Sequence, residues 1–229
     1  MAFRENDQKG IDGVVERSSP GEIVASVIWL HGLGADSSDF EGIIPYLGLP
    51  SGNGARGIRF LFPNAPRMPV SVNGGMSMRA WYDVLDQRIE SRADISGMKR
   101  SAHAVLSLVE GEVARGVPPS RIIVGGFSQG GLVAAFAGHL APKPLGGVMI
   151  LSSYIPAPFP IGEGQIPDRF LMAHGTLDQV VPLTLGRTSC EWLRSAGWKG
   201  EFHEYEMAHS VCVEELSEIG RWIYGVVGR

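Results

Sequence analysis

Runs of aliphatic and β-branched residues recur along the chain, separated by longer stretches in which apolar positions return every three or four residues. Short apolar runs bounded by turn residues read as buried strands, and the longer periodic stretches read as helices. The pattern predicts strands at Ile23 to Leu30, Ile58 to Phe62, Arg121 to Gly125, Gly147 to Leu151, Phe170 to His174 and Glu201 to Tyr205, with a weak edge strand at Gly13 to Arg17. The clearest helix follows Gly97, where Met98, Ala102, Val105, Leu106, Val109 and Val113 make one apolar stripe that Gly116 and Pro118-Pro119 terminate. A second helix is expected from Ser128 to about Leu140, and two more over Leu183 to Ala196 and Val213 to Tyr224. Strands alternating with helices predict an α/β protein with a mostly parallel central sheet flanked by helices. No internal repeat or linker divides the sequence, so a single domain over residues 1–229 is expected. Ser51 to Gly54 and Pro63 to Arg79 read as the long irregular segments, and long loops in compact proteins are usually functional or disordered.

Composition narrows the classes of function. Hydrophobic residues make up 44% of the 229 and charged residues 19%, the balance of a packed protein with a large core. Twenty Lys and Arg against 24 Asp and Glu leave a formal net charge of −4, so no basic excess attracts nucleic acid. The longest apolar run, Ile23 to Leu30, is far shorter than the ~20 residues that cross a bilayer, and no integral membrane association is expected. The first ten residues lack the apolar core of a signal peptide, which makes a cytoplasmic location the expectation. Cys190 and Cys212 are expected to be free thiols.

The sharpest local signal is Gly126-Phe127-Ser128-Gln129-Gly130, a G-x-S-x-G string between a predicted strand and a predicted helix. In a nucleophile elbow the chain reverses abruptly, and the flanking positions must be glycine because side chains there would strike the neighbouring strand and helix. The turn lifts the Ser128 hydroxyl above the sheet edge and turns the backbone N–H of Gln129 toward the same space. A serine hydroxyl needs a base, and the base needs an acid that holds its tautomer. In this fold these follow in the order serine, acid, histidine. Asp178 lies just beyond the strand Phe170 to His174, and His209 just beyond Glu201 to Tyr205, so both reach the carboxyl edge of the sheet where such sites gather. His203 is the rival base but falls within a strand, and Asp168 is the rival acid but precedes one. The glycine-rich loop His31-Gly32-Leu33-Gly34 can supply a second oxyanion donor, the N–H of Leu33. No phosphate-binding loop is present, Ser37 stands where a dinucleotide fingerprint needs glycine, and no metal-ligand spacing is evident.

These motifs, with Pro63-Asn64-Ala65-Pro66, Trp81-Tyr82-Asp83, His174-Gly175, Val180-Val181-Pro182 and Met207-Ala208-His209, resemble the phospholipase/carboxylesterase family that includes acyl-protein thioesterases. The resemblance runs from about Val27 to Trp222. It implies an α/β-hydrolase fold without a large cap domain, a Ser128-Asp178-His209 triad, backbone oxyanion donors at Leu33 and Gln129, and hydrolysis of carboxylic or thioester bonds without a cofactor. Ala35 stands where many members carry Asp, and Thr176 where Asp is frequent, a pattern nearer the bacterial carboxylesterases.

Met76 and Trp81, in a segment too glycine-rich for a regular element, are expected to form an adaptable apolar substrate wall, with Tyr154 to Pro160 opposite. The expected activity is that of a serine hydrolase cleaving carboxylic esters of short to medium acyl chains through an acyl-enzyme, on a small-molecule or lipid-like ester substrate. An acyl-protein thioesterase or lysophospholipase is the alternative, and outside catalysis a silent hydrolase-fold ligand-binding protein. A homodimer is left open.

Overall fold

A computed structural model describes residues 10–50, 54–86, 94–156 and 164–228. The Ser51 to Gly54 run and the far end of the Tyr154 to Pro160 stretch fall largely outside these residues. Nine strands are described in order: β1 (Val14–Ser18), β2 (Glu22–Leu30), β3 (Arg56–Pro63), β4 (Arg67–Val70), β5 (Met76–Arg79), β6 (Ile122–Phe127), β7 (Gly147–Leu151), β8 (Phe170–Gly175) and β9 (Gly200–Tyr205). The helices are α1 (Ser38–Glu41), α2 (Ile95–Ala114), α3 (Gln129–Leu140), α4 (Leu183–Ser195) and α5 (Val213–Val227).

Seven strands form one sheet in the order β1-β3-β2-β6-β7-β8-β9, parallel throughout except for β1, which pairs antiparallel with β3. Alternation along β2 explains why the sheet is covered on both faces. Ile28 and Leu30 pack with α2 and α3 in one core, whereas Val27 and Trp29 pack with Phe40 of α1 and with Leu216, Ile219 and Ile223 of α5 in the other. No large cap covers the carboxyl edge of the sheet among the described residues.

β2 sits between β3 and β6, so the chain leaves it to one side and returns on the other. At such a switch point the loops after the two central strands part, and the crevice between them is the natural ligand site of an open parallel sheet. The loops concerned are Gly32-Leu33, after β2, and Ser128, after β6.

Two expectations need correction. The stretch from Pro63 to Arg79 is not irregular: β4 and β5 pair antiparallel as a hairpin, with Arg67 opposite Arg79 and Val70 opposite Met76. Gly74 and Gly75, at φ of 65° and 78°, make its turn, so the glycines that argued against a regular element are what close one. Helix α2 begins ahead of Gly97, because the Asp94 carboxylate caps it by accepting from the Gly97 N–H at 2.9 Å. The helix α1 and the turn of 3-10 helix at Ile44–Leu47 had no periodic signal, being too short to show one.

Candidate active site

Ser128 occupies the sharp turn between β6 and α3 at φ 53° and ψ −118°, a conformation that a non-glycine residue holds only when its surroundings impose it. Its N–H donates to the Leu151 carbonyl at 2.8 Å, and its carbonyl accepts from the Gly131 N–H at 3.1 Å. The flanking glycines are there for space. A Cβ on Gly126 would lie 2.4 Å from the Gly130 carbonyl carbon, and one on Gly130 would lie 2.6 Å from the Leu30 carbonyl oxygen.

The Ser128 hydroxyl donates to His209 Nε2 at 2.9 Å, and His209 Nδ1 lies 2.7 Å from Asp178 Oδ2. The tautomer satisfying both contacts carries its proton on Nδ1, which leaves the Nε2 lone pair facing the hydroxyl. The other Asp178 oxygen, Oδ1, accepts from the N–H groups of Val180 and Val181, each at 2.8 Å. The carboxylate is therefore oriented by its own loop before the imidazole is considered. His174 tightens that loop from beneath, donating from Nε2 to the Val181 carbonyl at 2.8 Å and lying 3.6 Å from Asp178 Oδ2. Phe127 stacks obliquely on His209, with ring centroids 4.7 Å apart.

Leu33 and Gln129 both line the cleft beside Ser128, and among the described residues neither backbone N–H donates to a protein acceptor. The Gln129 N–H opens α3, where the helix has no acceptor of its own to offer, and the helix end adds positive potential at the same spot. Two free donors beside a hydroxyl held by a base form an arrangement able to attack a carbonyl and hold the negative charge that develops on its oxygen.

Met76 and Trp81, expected to form the apolar wall, do not line this cleft. Met76 is 65% exposed on the hairpin, and Trp81 is 2% exposed beneath the loop, its indole N–H donating to the His31 carbonyl at 2.9 Å. The cleft, about 460 Å³, is bounded instead by Val72, Tyr82, Val84, Tyr154, Val180 and Val181. Residues 81 and 82 form a bend just after β5, and it is Tyr82 rather than Trp81 that the bend leaves facing the cleft. His31 is buried, which pushes its pKa down, and its Nε2 accepts from the Ala65 N–H at 3.0 Å, so it serves the packing of the loop.

The rival residues lie elsewhere. Asp168 lies ahead of β8, at the opposite edge of the sheet, and His203 pairs with Glu201 at 3.1 Å on β9. Burial pushes up the thiols of Cys190 and Cys212, which keeps both protonated near neutrality. Among the described residues one group could hold a metal ion, Glu201, His203 and Glu218, with ligating atoms within 4.8 Å of one another. None of the three lines the cleft. No described helix is long and apolar enough to cross a membrane.

The sequence pattern of the phospholipase/carboxylesterase family matches residues 13–227. A probable carboxylesterase of Oryza sativa subsp. japonica is 34% identical over 225 residues, which cover 92% of this chain and 84% of that protein. Acyl-protein thioesterase 1 of Yarrowia lipolytica is 34% identical over 209 residues, covering 87% of this chain and 90% of that one. Among solved structures, Arabidopsis thaliana SOBER1 superposes with a TM-score of 0.79 at 32% identity, over 89% of this chain and 99% of that one.

Proposed function

The chain belongs to the phospholipase/carboxylesterase family of α/β hydrolases, and on that premise we propose that it cleaves carboxylic esters of short to medium acyl chains with Ser128 as nucleophile. The observation that carries the reading is the unbroken relay from the Ser128 hydroxyl through His209, both lining the cleft at the sheet's switch point, to the buried Asp178, at 2.9 and 2.7 Å. His209 Nε2 takes the Ser128 proton as the hydroxyl oxygen attacks the ester carbonyl. The oxyanion of the tetrahedral intermediate accepts from the N–H groups of Leu33 and Gln129. Collapse expels the alcohol, which leaves with the proton carried by His209. Water, deprotonated by the same imidazole, then attacks the acyl-enzyme and releases the acid and Ser128. Asp178 stabilises the imidazolium in both halves without taking its proton.

A cleft of about 460 Å³ lies within the range of roughly 300–1,000 Å³ typical of small-ligand sites. Its apolar walls of Val72, Val84 and Val180 suit a small-molecule or lipid-like ester. The Yarrowia lipolytica relative, named an acyl-protein thioesterase, supports a second reading in which the scissile bond is a thioester. A panel of p-nitrophenyl esters of increasing chain length, run beside matched thioesters, separates the two by kcat/KM. The test of the nucleophile is labelling by a fluorophosphonate, located by peptide mass, together with Ser128→Ala. Labelling of Ser128 and loss of nearly all turnover are expected. A folded Ser128→Ala protein that keeps more than a tenth of the activity sinks the reading.

A further inference from the structure

Trp81 and the side chain of Gln129 belong to one buried hydrogen-bond set that joins the loops on either side of the crevice. The Gln129 amide is buried and both its ends are used: Oε1 accepts from the Trp81 N–H at 2.8 Å, and Nε2 donates to the Tyr82 carbonyl at 2.8 Å. A backbone N–H can only donate and a carbonyl can only accept, so the amide orientation is dictated by its partners. The Trp81 indole N–H reaches the His31 carbonyl at 2.9 Å, and the Gly34 N–H donates to the Arg79 carbonyl at 2.8 Å. Ser101 anchors the same segment from α2, donating its hydroxyl to the Trp81 carbonyl.

Residues 79–82 thus hold the two loops of the crevice at once. Leu33 lies between two of the anchors, one at residue 31 and one at residue 34, and the third grips the side chain of the residue whose own N–H faces the cleft. The last rung of the sheet between β2 and β6 is Leu30 opposite Gly126, and beyond it the loops meet each other in close packing, Gly32 beside Phe127 and Ser128 and Gly130 beneath the His31 carbonyl, so the hydrogen bonds of residues 79–82 add direction to that contact. We infer that Trp81 and the Gln129 side chain are positioning residues that set the separation and aim of the two oxyanion donors. The inference rests on the proposed use of Leu33 and Gln129 in ester hydrolysis. An oxyanion donor acts through geometry, so a displacement of a few tenths of an ångström weakens the transition state while leaving the ground-state ester almost untouched.

Trp81→Phe removes the indole N–H and keeps a buried ring. Gln129→Met removes both amide contacts and keeps the backbone N–H. Each variant is titrated with a fluorophosphonate to count active sites, and kcat and KM for a butyrate ester are expressed per titrated site. The expected result is a fall in kcat of roughly 10- to 100-fold, with KM within about threefold of wild type. Affinity for a boronic acid, which mimics the tetrahedral intermediate, should fall by a similar factor. If one variant does not fold, the other decides. Values of kcat per site within twofold of wild type overturn the inference, including the case in which only the number of titrated sites drops, since that is loss of packing alone. Failure of the fluorophosphonate to label Ser128 in the wild-type protein would instead remove the serine-hydrolase reading, and the brace with it.

Discussion

Asp178→Asn changes one oxygen to an NH2 group, and the structure says which way the new amide must point. Asp178 Oδ1 accepts from the N–H groups of Val180 and Val181 at 2.8 Å each, so the amide oxygen stays there and the NH2 faces His209 Nδ1. The imidazole must then accept at Nδ1 and carry its proton on Nε2, where it meets the Ser128 hydroxyl as a donor instead of a base. Restoring the active tautomer by flipping the amide would leave the buried Val181 N–H and the part-buried Val180 N–H facing an NH2, at about 1–3 kcal/mol each, or roughly 2–6 kcal/mol in all as an upper range. At about 1.4 kcal/mol per tenfold, that alone reduces turnover by roughly 30- to 10⁴-fold. The carboxylate's stabilisation of the imidazolium is lost as well, which places the expected loss on the order of 10⁴. The assay is kcat for a p-nitrophenyl butyrate ester, on protein whose melting curve shows it to be folded. Asp168→Asn and His203→Ala serve as matched controls and should retain most activity. A folded Asp178→Asn enzyme with more than a tenth of wild-type kcat would refute the argument, as would equal losses in the controls.

Two further outcomes follow from other parts of the molecule. Glu215, at the start of α5, is fully buried, and burial pushes its pKa from 4.5 up to about 8 against the opposing pull of a backbone contact from Cys212. Between those values the unfolded chain is ionised while the folded one keeps its proton, so this group's stabilisation is full below about pH 4.5 and is lost as pH rises to about 8. Glu215→Gln should therefore flatten urea-unfolding stability across that window and stabilise the protein at pH 9 by on the order of a few kcal/mol, whereas an unchanged pH profile would show that Glu215 does not hold its proton. In the cleft, Val72→Ala and Val180→Ala should flatten the rise of kcat/KM with acyl length, worth about 0.8 kcal/mol or roughly fourfold per buried methylene, and Met76→Ala should leave it intact. The reverse pattern would return the acyl wall to Met76.

Features that rest on periodicity and steric demand are legible along the chain. Burial of a strand on both faces writes a continuous apolar run, and β7 appears at Gly147–Leu151 with the predicted bounds. The elbow was legible because only glycine fits at Gly126 and Gly130, and chain order then singled out Asp178 and His209, which the structure brings into contact with each other. Features that rest on partners distant in the chain are legible only in the folded molecule. Gln129 and Trp81 are 48 residues apart, and no local pattern shows that the amide of one binds the backbone of the other. Trp81 was mistaken for wall because hydrophobicity reports that a side chain leaves water, not which cavity or carbonyl receives it. The β4–β5 hairpin was hidden for a related reason, since its four-residue strands are too short for alternation to outweigh the glycines of its turn. The buried carboxyl of Glu215 is the limiting case: its neighbours in sequence suggest an exposed helix start, and only the packing of α5 against the sheet takes it out of water.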